Sequence, residues 1–465
     1  MFIGRSNELE FLNNRYNISG SQLIVLYGRR RVGKTETLRE FCKGKDHIFY
    51  SCTECTDVKQ LKAFSERILT KDIPASKYIN QFTDWEQAFS SIMEMTTEHK
   101  KLLIIDEFPY MVRNNPTIPS IIQKLWDIEL KNDNVMIILC GSSMSFIEKE
   151  ILAEKNPLYG RATGILKMKE MSFYDAIGFF PYFTDAEKII AYSILGGIPH
   201  YLKQFNDQVS LSENIVNNIL QRGSILYSEV EFMMRQELRE TTVYNTIIEA
   251  VALGNTKLND IYLKTMIDKS KLTVYLKNLI NLGLMEREFP VSDGIKEQAN
   301  IHRGLYQLTD NYFRFWYAFV FPNISELESG DAEGVFKYTV NPEMNKYSSK
   351  IFENICREYI RKLNKENKLP FRYTKIGRWW DKNNEIDIMA VDKNKNNIIL
   401  GECKYQNSAF GLADYETMIS KYTPKKPTTK VYYYLFSKNG FTKEVVNRSR
   451  EDNVELISLE DIMRI

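Results

Sequence analysis

The sequence predicts an α/β fold, with a parallel sheet in the first 165 residues and a second α/β domain near the C-terminus. Three apolar runs, at residues 23–27, 101–106 and 135–140, support the first sheet. Continuous apolar strands separated by helix-like segments are typical of parallel sheets covered on both faces. Alternating polar and apolar residues over 385–391, a polar turn and an apolar return over 397–404 support the second domain.

The composition is that of an ordinary globular protein, with 43% hydrophobic and 26% charged residues in a chain of 465. This length allows about three domains. The N-terminus lacks the pattern of a signal peptide, and no apolar run approaches the ~18–20 residues that span a bilayer. We therefore expect a cytoplasmic protein with no membrane partner. The six cysteines do not suggest a disulfide framework in a chain of this size.

The charge is unevenly distributed along the chain. Residues 345–465 contain 23 Lys and Arg against 16 Asp and Glu, a balance of +7, so the rest of the chain carries −5 to give the net charge of +2. A basic C-terminal part is weakly indicative of a polyanionic partner such as DNA. A solvated surface with no such partner would give the same count.

A glycine-rich segment that fits G-x-x-x-x-G-K-[ST] follows the first apolar run and precedes a helical pattern, which is the context that this phosphate-binding motif requires. Its residues are Gly28, Arg29, Arg30, Arg31, Val32, Gly33, Lys34 and Thr35. The glycines let backbone N–H groups surround the phosphates. Lys34 is predicted to reach the β and γ phosphates and the Thr35 hydroxyl to ligate Mg²⁺. The expected cofactors are ATP and Mg²⁺.

The second half of this site is predicted at the end of the 101–106 strand. Asp106 ends a buried run and is expected to hold Mg²⁺ through water, and Glu107 is placed to polarise the attacking water. An acidic strand end is common by itself. Together with the glycine-rich loop, in this order, it predicts nucleotide binding and hydrolysis.

Three further features have a functional and a plain structural interpretation. Ser142 and Ser143 follow a strand and are either γ-phosphate sensors or part of a turn. Arg161 is either an arginine finger, acting in cis or from a neighbouring subunit, or a surface arginine. Arg5 and Glu8 precede the first strand and are candidates for the adenine pocket.

These motifs, with Gly196-Gly197-Ile198-Pro199, resemble the archaeal-type ATPases of the AAA+/STAND branch of P-loop NTPases over residues 1–240. The resemblance implies an adenine nucleotide, Mg²⁺ and a sheet with the P-loop strand in the middle. We expect a P-loop ATPase core over 1–165 and a helical lid over 166–240.

Residues 241–321 read as helices followed by a two-stranded ribbon, which predicts a winged helix-turn-helix. Its recognition helix would begin over residues 269–277, with three lysines at phosphates and Ser270 and Thr273 at base edges. Packing as a protein–protein adaptor is the alternative. Residues 322–344 are polar and read as a linker.

Three side chains are predicted to converge in the last domain, residues 345–465. Glu402 and Lys404 are two apart on one strand and therefore share a face, and a hairpin can bring Asp387 beside them. Asp387 and Glu402 would bind Mg²⁺, and Lys404 would orient the nucleophile or neutralise the developing charge. Glu353, on the preceding helix, would complete the metal shell or orient a second water.

This pattern resembles the PD-(D/E)xK restriction-endonuclease-like superfamily, with Asp387, Glu402 and Lys404 at the D, E and K positions. Ile386 stands where the family pattern has Pro. The motif is short, so a nuclease fold that is kept only for binding stays open.

Three functions therefore compete: an ATP-gated enzyme that processes DNA, a regulatory ATPase whose nuclease-like domain only binds, and a binding module with incidental turnover. The expected partners are ATP and DNA, with a homo-oligomer or a protein partner also open. The intact Asp387, Glu402 and Lys404 set favours the first function.

Overall fold

A computed structural model describes residues 2–71, 73–238, 240–298, 300, 303–424, 426–450 and 454–464. The chain divides into two compact units. The first comprises Met1–Met171 with Ile198–His200, and the second comprises Ser172–Gly197 with Tyr201–Ile465.

The first unit alternates strands and helices. Its strands are β1 (Gln22–Tyr27), β2 (His47–Ser51), β3 (Lys101–Asp106), β4 (Val135–Gly141) and β5 (Gly164–Lys167). Its helices are α1 (Ser6–Asn17), α2 (Lys34–Cys42), α3 (Asp57–Ile68), α4 (Trp85–Ser90), α5 (Phe108–Asn114), α6 (Ile118–Ile128) and α7 (Met144–Phe146). Within the described residues these strands form one parallel sheet in the order β2-β3-β4-β1-β5.

The buried sequence of the inner strands explains this sheet. Every residue of β1 and β4 is buried, because helices cover both faces of the sheet. Helix α6 contributes an apolar stripe, in which Ile118, Ile122 and Leu125 are buried at helical spacing. The predicted parallel α/β core is confirmed, and β1 lies inside the sheet between β4 and β5.

The remaining described elements follow in chain order. The helices are α8 (Phe173–Ala176), α9 (Asp185–Leu195), α10 (Pro199–Leu202), α11 (Leu211–Ile215), α12 (Ile225–Glu237), α13 (Thr241–Ala252), α14 (Leu258–Thr265), α15 (Lys269–Asn281), α16 (Ile295–Gln298), α17 (Asn311–Phe315), α18 (Ile324–Glu328), α19 (Ala332–Val335), α20 (Asn341–Lys365), α21 (Leu412–Ser420), α22 (Lys443–Ser449) and α23 (Leu459–Met463). The strands are β6 (Met285–Glu288), β7 (Leu305–Leu308), β8 (Lys375–Trp380), β9 (Glu385–Val391), β10 (Asn397–Lys404), β11 (Lys430–Ser437) and β12 (Val454–Ser458).

The C-terminal sheet is mixed and has helices on both faces. Its described strands run in the order β12-β11-β10-β9-β8, with β10, β11 and β12 parallel and β8, β9 and β10 antiparallel. Helix α20 packs Phe352 and Ile355 against one face. The other face is covered by α21 and α22, which bury Tyr415, Met418 and Val445. A second α/β layer structure is therefore present, as predicted.

The segment expected to be a linker, residues 322–344, differs from that expectation. It contains α18 and α19, a π-helical turn at Phe336–Val340, and the start of α20. Leu327, Val335 and Val340 are buried, so an apolar face hidden among polar residues gives the segment helical structure. No helix among the described residues is both long enough and apolar enough to cross a membrane.

Candidate functional site

The loop between β1 and α2 is bent in a way that only particular residues allow. A Cβ on Gly28 would lie 2.3 Å from the carbonyl oxygen of Met168, so only glycine fits at that position. Arg31 and Gly33 have φ of 70° and 91°, in the left-handed region. A Cβ on Gly33 would lie 3.5 Å from Cγ of Pro199, the last residue of the Gly-Gly-Ile-Pro motif. The loop therefore curls immediately before the N-terminus of α2, as phosphate binding requires.

The cationic side chains of this loop differ in exposure. Lys34 is buried, and its ammonium donates to the carbonyl oxygens of Gly28 at 2.9 Å and Arg29 at 3.0 Å. Burial lowers the pKa of Lys34, against the opposing charges nearby. Arg30 and Arg31 are exposed. The lysine therefore lies inside the curled loop, and two arginines lie on its outer side.

Thr35 and Asp106 meet at the end of β3. The Thr35 hydroxyl donates to Oδ2 of Asp106 at 2.7 Å, and Oδ1 of Asp106 accepts from the backbone N–H of Glu107 at 3.0 Å. Asp106 is buried. A hydroxyl and a carboxylate at this distance match the donor set that proteins use for Mg²⁺, so the predicted pair fits this ion.

Glu107 has φ of 51°, an uncommon backbone conformation that is often found at functional sites. Its carboxylate accepts from the Ser142 hydroxyl at 2.5 Å and from the Ser142 N–H at 3.3 Å. Sequence analysis offered Ser142 as a γ-phosphate sensor. In the structure its hydroxyl is bonded to Glu107, a contact that the sequence pattern does not reveal because β3 and β4 pair through space.

Arg161 is held by an acidic neighbour. Its guanidinium donates to Asp127 at 2.8–3.2 Å and to the carbonyl oxygen of Pro157 at 2.8 Å. Both partners of this ion pair are partly exposed. The described contacts thus tie Arg161 to the end of α6, and its role as an arginine finger stays a prediction.

Arg5 supports the loop from the other side. It has φ of 65° and is buried, and its guanidinium donates to the carbonyl oxygens of Val32 at 2.5 Å and Lys169 at 2.8 Å. It also forms an ion pair with Glu8 at 2.8 Å. The predicted role of Arg5 and Glu8 in an adenine pocket stays a prediction, and the sequence pattern does not reveal the contact of Arg5 with the loop.

The second candidate site lies at β9 and β10. Asp387 is half-buried, and its Oδ2 accepts from the backbone N–H of Cys403 at 2.9 Å. Burial, with repulsion from Glu353 and Glu402, raises the pKa of Asp387 well above its usual value. The hairpin therefore brings together the carboxylates that sequence analysis placed on separate elements.

Glu402 is almost fully buried and is covered by two lysines. Its Oε1 lies 3.3 Å from Nζ of Lys404, as the two-residue spacing predicts. Nζ of Lys421 donates to Oε1 at 3.0 Å and Oε2 at 2.8 Å. Lys404 also lies 3.5 Å from Asp414. Sequence analysis missed Lys421, because it follows the next helix and reaches Glu402 only through the tertiary fold.

Glu353 lies on α20 and is surrounded by basic side chains. It accepts from Lys350 at 2.9 Å and lies 3.8–3.9 Å from Arg357 and Arg378. Burial lowers the pKa of Lys350. Among the described residues no group of three or more His, Cys, Asp or Glu is arranged to hold a metal ion. Cationic side chains compensate the charge of Glu353 in the structure, and its predicted role in completing a metal shell or orienting a second water stays a prediction.

Asp387 and Glu402 are the two carboxylates that sequence analysis predicted as metal ligands. Mg²⁺ is often bound by one or two carboxylates together with water and substrate phosphate, so two carboxylates are enough. Mutual repulsion and burial disfavour two charged carboxylates here, and a divalent cation would offset that cost. The residues present therefore fit a two-carboxylate Mg²⁺ site.

The helices α13, α14 and α15 precede the two-stranded β6–β7 ribbon, in the order predicted for a winged helix. The side chains proposed for DNA contact on α15 are exposed: Lys269, Ser270, Lys271, Thr273 and Lys277.

The ribbon also packs on the C-terminal sheet. The N–H of Val291 donates to the Arg378 carbonyl oxygen at 2.8 Å, and the Arg378 guanidinium pairs with Glu288 at 2.8 Å. These contacts join the ribbon to the C-terminal sheet, and both the adaptor role and DNA contact by α15 stay predictions.

Two family models match the chain. Residues 2–205 match a family described as an ATPase domain predominantly from Archaea. Residues 316–417 match a family described as archaeal and bacterial proteins of unknown function.

Relatives from Methanocaldococcus jannaschii match different lengths. The uncharacterized protein MJECL04 is 35% identical over 408 residues, which cover 88% of this chain and 88% of that protein. The uncharacterized ATP-binding protein MJ0423 is 51% identical over 45 residues, covering 10% of this chain and 76% of that protein.

Among solved structures, the Walker-type ATPase PABY2304 of Pyrococcus abyssi is similar, with a TM-score of 0.50 and 20% identity. The match covers 68% of this chain and 96% of that one. At this identity the likeness concerns the fold.

Proposed function

Because the chain belongs to the family of MJECL04 and is an archaeal-type ATPase, we propose that it is a Mg²⁺-dependent ATPase that processes DNA, with phosphodiester cleavage at Asp387, Glu402 and Lys404. ATP binding and hydrolysis occupy the first unit. The second unit supplies the nucleic-acid chemistry.

In the ATPase site, the proposed roles follow from position. Lys34 binds the β and γ phosphates, and the amides of the curled loop donate to them. Thr35 and Asp106 hold Mg²⁺, which would neutralise charge on the phosphates. Glu107 orients the attacking water, and the hydrogen bonds from Ser142 fix the direction of its carboxylate. Arg161 stabilises the developing charge if it is released from Asp127.

In the C-terminal site, one observation carries the cleavage proposal: the ammonium of Lys404 lies 3.3 Å from Glu402 in a hairpin that also places Asp387 within repulsive range of Glu402. Asp387 and Glu402 would hold Mg²⁺, which lowers the pKa of bound water and neutralises charge on a phosphate. Lys404 then orients the nucleophile beside the scissile phosphate. The excess of basic residues over 345–465 supports a polyanionic substrate.

The test is cleavage of supercoiled plasmid with Mg²⁺ or Mn²⁺, with and without ATP. Parent protein is expected to nick or linearise the plasmid, and Lys404→Ala to lose that activity. Lys430→Ala, an exposed lysine on the neighbouring strand β11, is the matched control and is expected to cleave normally. Lys34→Ala reports the ATP requirement. Cleavage that persists in Lys404→Ala would remove the nuclease assignment.

A second function is favoured by a different observation. Lys421 already donates hydrogen bonds to both carboxylate oxygens of Glu402. This arrangement is typical of a carboxylate that is neutralised for structural reasons. In that case the chain is a nucleotide-dependent switch whose C-terminal domain binds DNA or a protein without cutting. Absence of cleavage with either metal, with DNA binding retained, would select this function.

A further inference from the structure

Lys421 occupies the side of Glu402 where a cation would bind. Its ammonium makes contacts of 2.8 and 3.0 Å with the two carboxylate oxygens, and the Glu402 side chain is 8% exposed. A hydrogen bond between charged partners in such a place is short and strong. A metal ion bound to either oxygen would lie close to this ammonium, and the repulsion between the two cations makes them compete for the carboxylate.

Lys404 plays a different part at the same carboxylate. Its ammonium lies 3.3 Å from Oε1 and also forms an ion pair with Asp414 at 3.5 Å. It is the last residue of β10, and its backbone pairs with Ser437 of β11. Lys421, which is bonded to both oxygens, is therefore the cation that a metal would oppose most directly, and Lys404 contacts Glu402 less closely.

The position of Lys421 in the chain allows it to move. It follows the last residue of α21, and its side chain is 21% exposed, so the ammonium has a path to solvent. Withdrawal would leave the strand hairpin intact. The cost is an uncompensated carboxylate, which an incoming divalent cation would offset.

We propose that Lys421 is an internal counter-cation that competes with the divalent metal for Glu402 and so sets the metal concentration at which the C-terminal site is loaded. This inference rests on the proposed metal site at Asp387 and Glu402. It assigns to Lys421 a positioning and regulatory role outside the D, E and K pattern.

The experiment titrates the full chain with Mn²⁺ alone, without nucleotide, and measures free Mn²⁺ by electron paramagnetic resonance. Lys421→Met removes the charge and keeps an apolar stem. It is expected to lower the Kd for Mn²⁺ about tenfold, which corresponds to ~1.4 kcal/mol. Glu402→Gln identifies the site, because the Mn²⁺ binding that Lys421→Met strengthens is expected to disappear when Glu402 is replaced.

Two variants control for charge and for general effects. Lys421→Arg keeps the charge and is expected to bind Mn²⁺ no more tightly than the parent protein. Lys426→Met removes an exposed lysine nearby and is also expected to match the parent. Lys421→Gln repeats the test if Lys421→Met fails to fold by circular dichroism.

An unchanged Kd in both uncharged variants, or equal tightening by Lys421→Arg, would overturn the competition. Plasmid cleavage separates this inference from the proposed function. Cleavage by the parent with no effect of Lys421 on Mn²⁺ affinity leaves the function standing and removes the inference. Tighter Mn²⁺ binding by Lys421→Met in a protein that never cuts DNA would support the inference and remove the proposed cleavage function.

Discussion

The two candidate sites differ in how their chemistry is assembled. The phosphate site is made largely by one loop, with Lys34 and Thr35 adjacent in sequence and Asp106 at the end of β3. The carboxylate site gathers side chains from α20, β9, β10 and the end of α21. Backbone amides provide most of the first site, whereas opposed side-chain charges provide the second. This difference shows that a site built from backbone amides tolerates few substitutions. In a site built from several charged side chains, one charge can be neutralised by more than one partner.

The largest expected effect concerns the independence of the two sites. Lys34→Ala is expected to lower kcat/KM for ATP hydrolysis by about 10²–10³-fold, because a buried cation at the phosphates is lost. Lys404→Ala is expected to leave ATP hydrolysis within about twofold. Steady-state phosphate release measures both. Arg39→Ala, an exposed change on the same helix as Lys34, is the control. Loss of ATPase activity in Lys404→Ala would show that the two sites do not act independently.

An intermediate effect is expected from Ser142, which contacts Glu107. Ser142→Ala is expected to lower kcat about tenfold with little change in KM, because the Glu107 carboxylate loses its orientation. In a Glu107→Gln background the same change is expected to add nothing, since both act through one group. A full additional loss in that background would show instead that Ser142 contacts the nucleotide directly.

The smallest effect is expected from Asp127. Asp127→Ala is expected to keep ATP turnover within about twofold, because a partly exposed ion pair contributes little. Arg161→Ala would then lower turnover strongly if the arginine acts on phosphate. Equal losses in the two variants would mean that the pair is needed for structure, and Arg161 would be removed from the catalytic set.

Much of the first unit follows from the sequence because its signals are local. The run over 101–106 and the strand β3 coincide, and the runs over 23–27 and 135–140 lie within one residue of β1 and β4. The short strand β5 gave no such signal. Its burial alternates, and it pairs with β1 across more than a hundred residues of sequence.

Less of the second unit could be predicted from the sequence, for physical reasons. The spacing of Glu402 and Lys404 shows a shared face, but nothing local places Lys421 on Glu402 or Arg378 near Glu353. Residues 322–344 have a polar composition that hid five buried apolar side chains: Leu327, Ala332, Val335, Val340 and Met344. Charge compensation depends on what folding brings within a few ångströms, and a one-dimensional pattern does not record it.

The most direct test of the account is a crystal structure with Mn²⁺ and a non-hydrolysable ATP analogue, in which anomalous scattering locates the metal. The account predicts one Mn²⁺ beside Thr35 and Asp106, with the analogue's phosphates enclosed by residues 28–35, and a second between Asp387 and Glu402. Phosphates bound away from that loop, with no anomalous peak at Thr35, would contradict it.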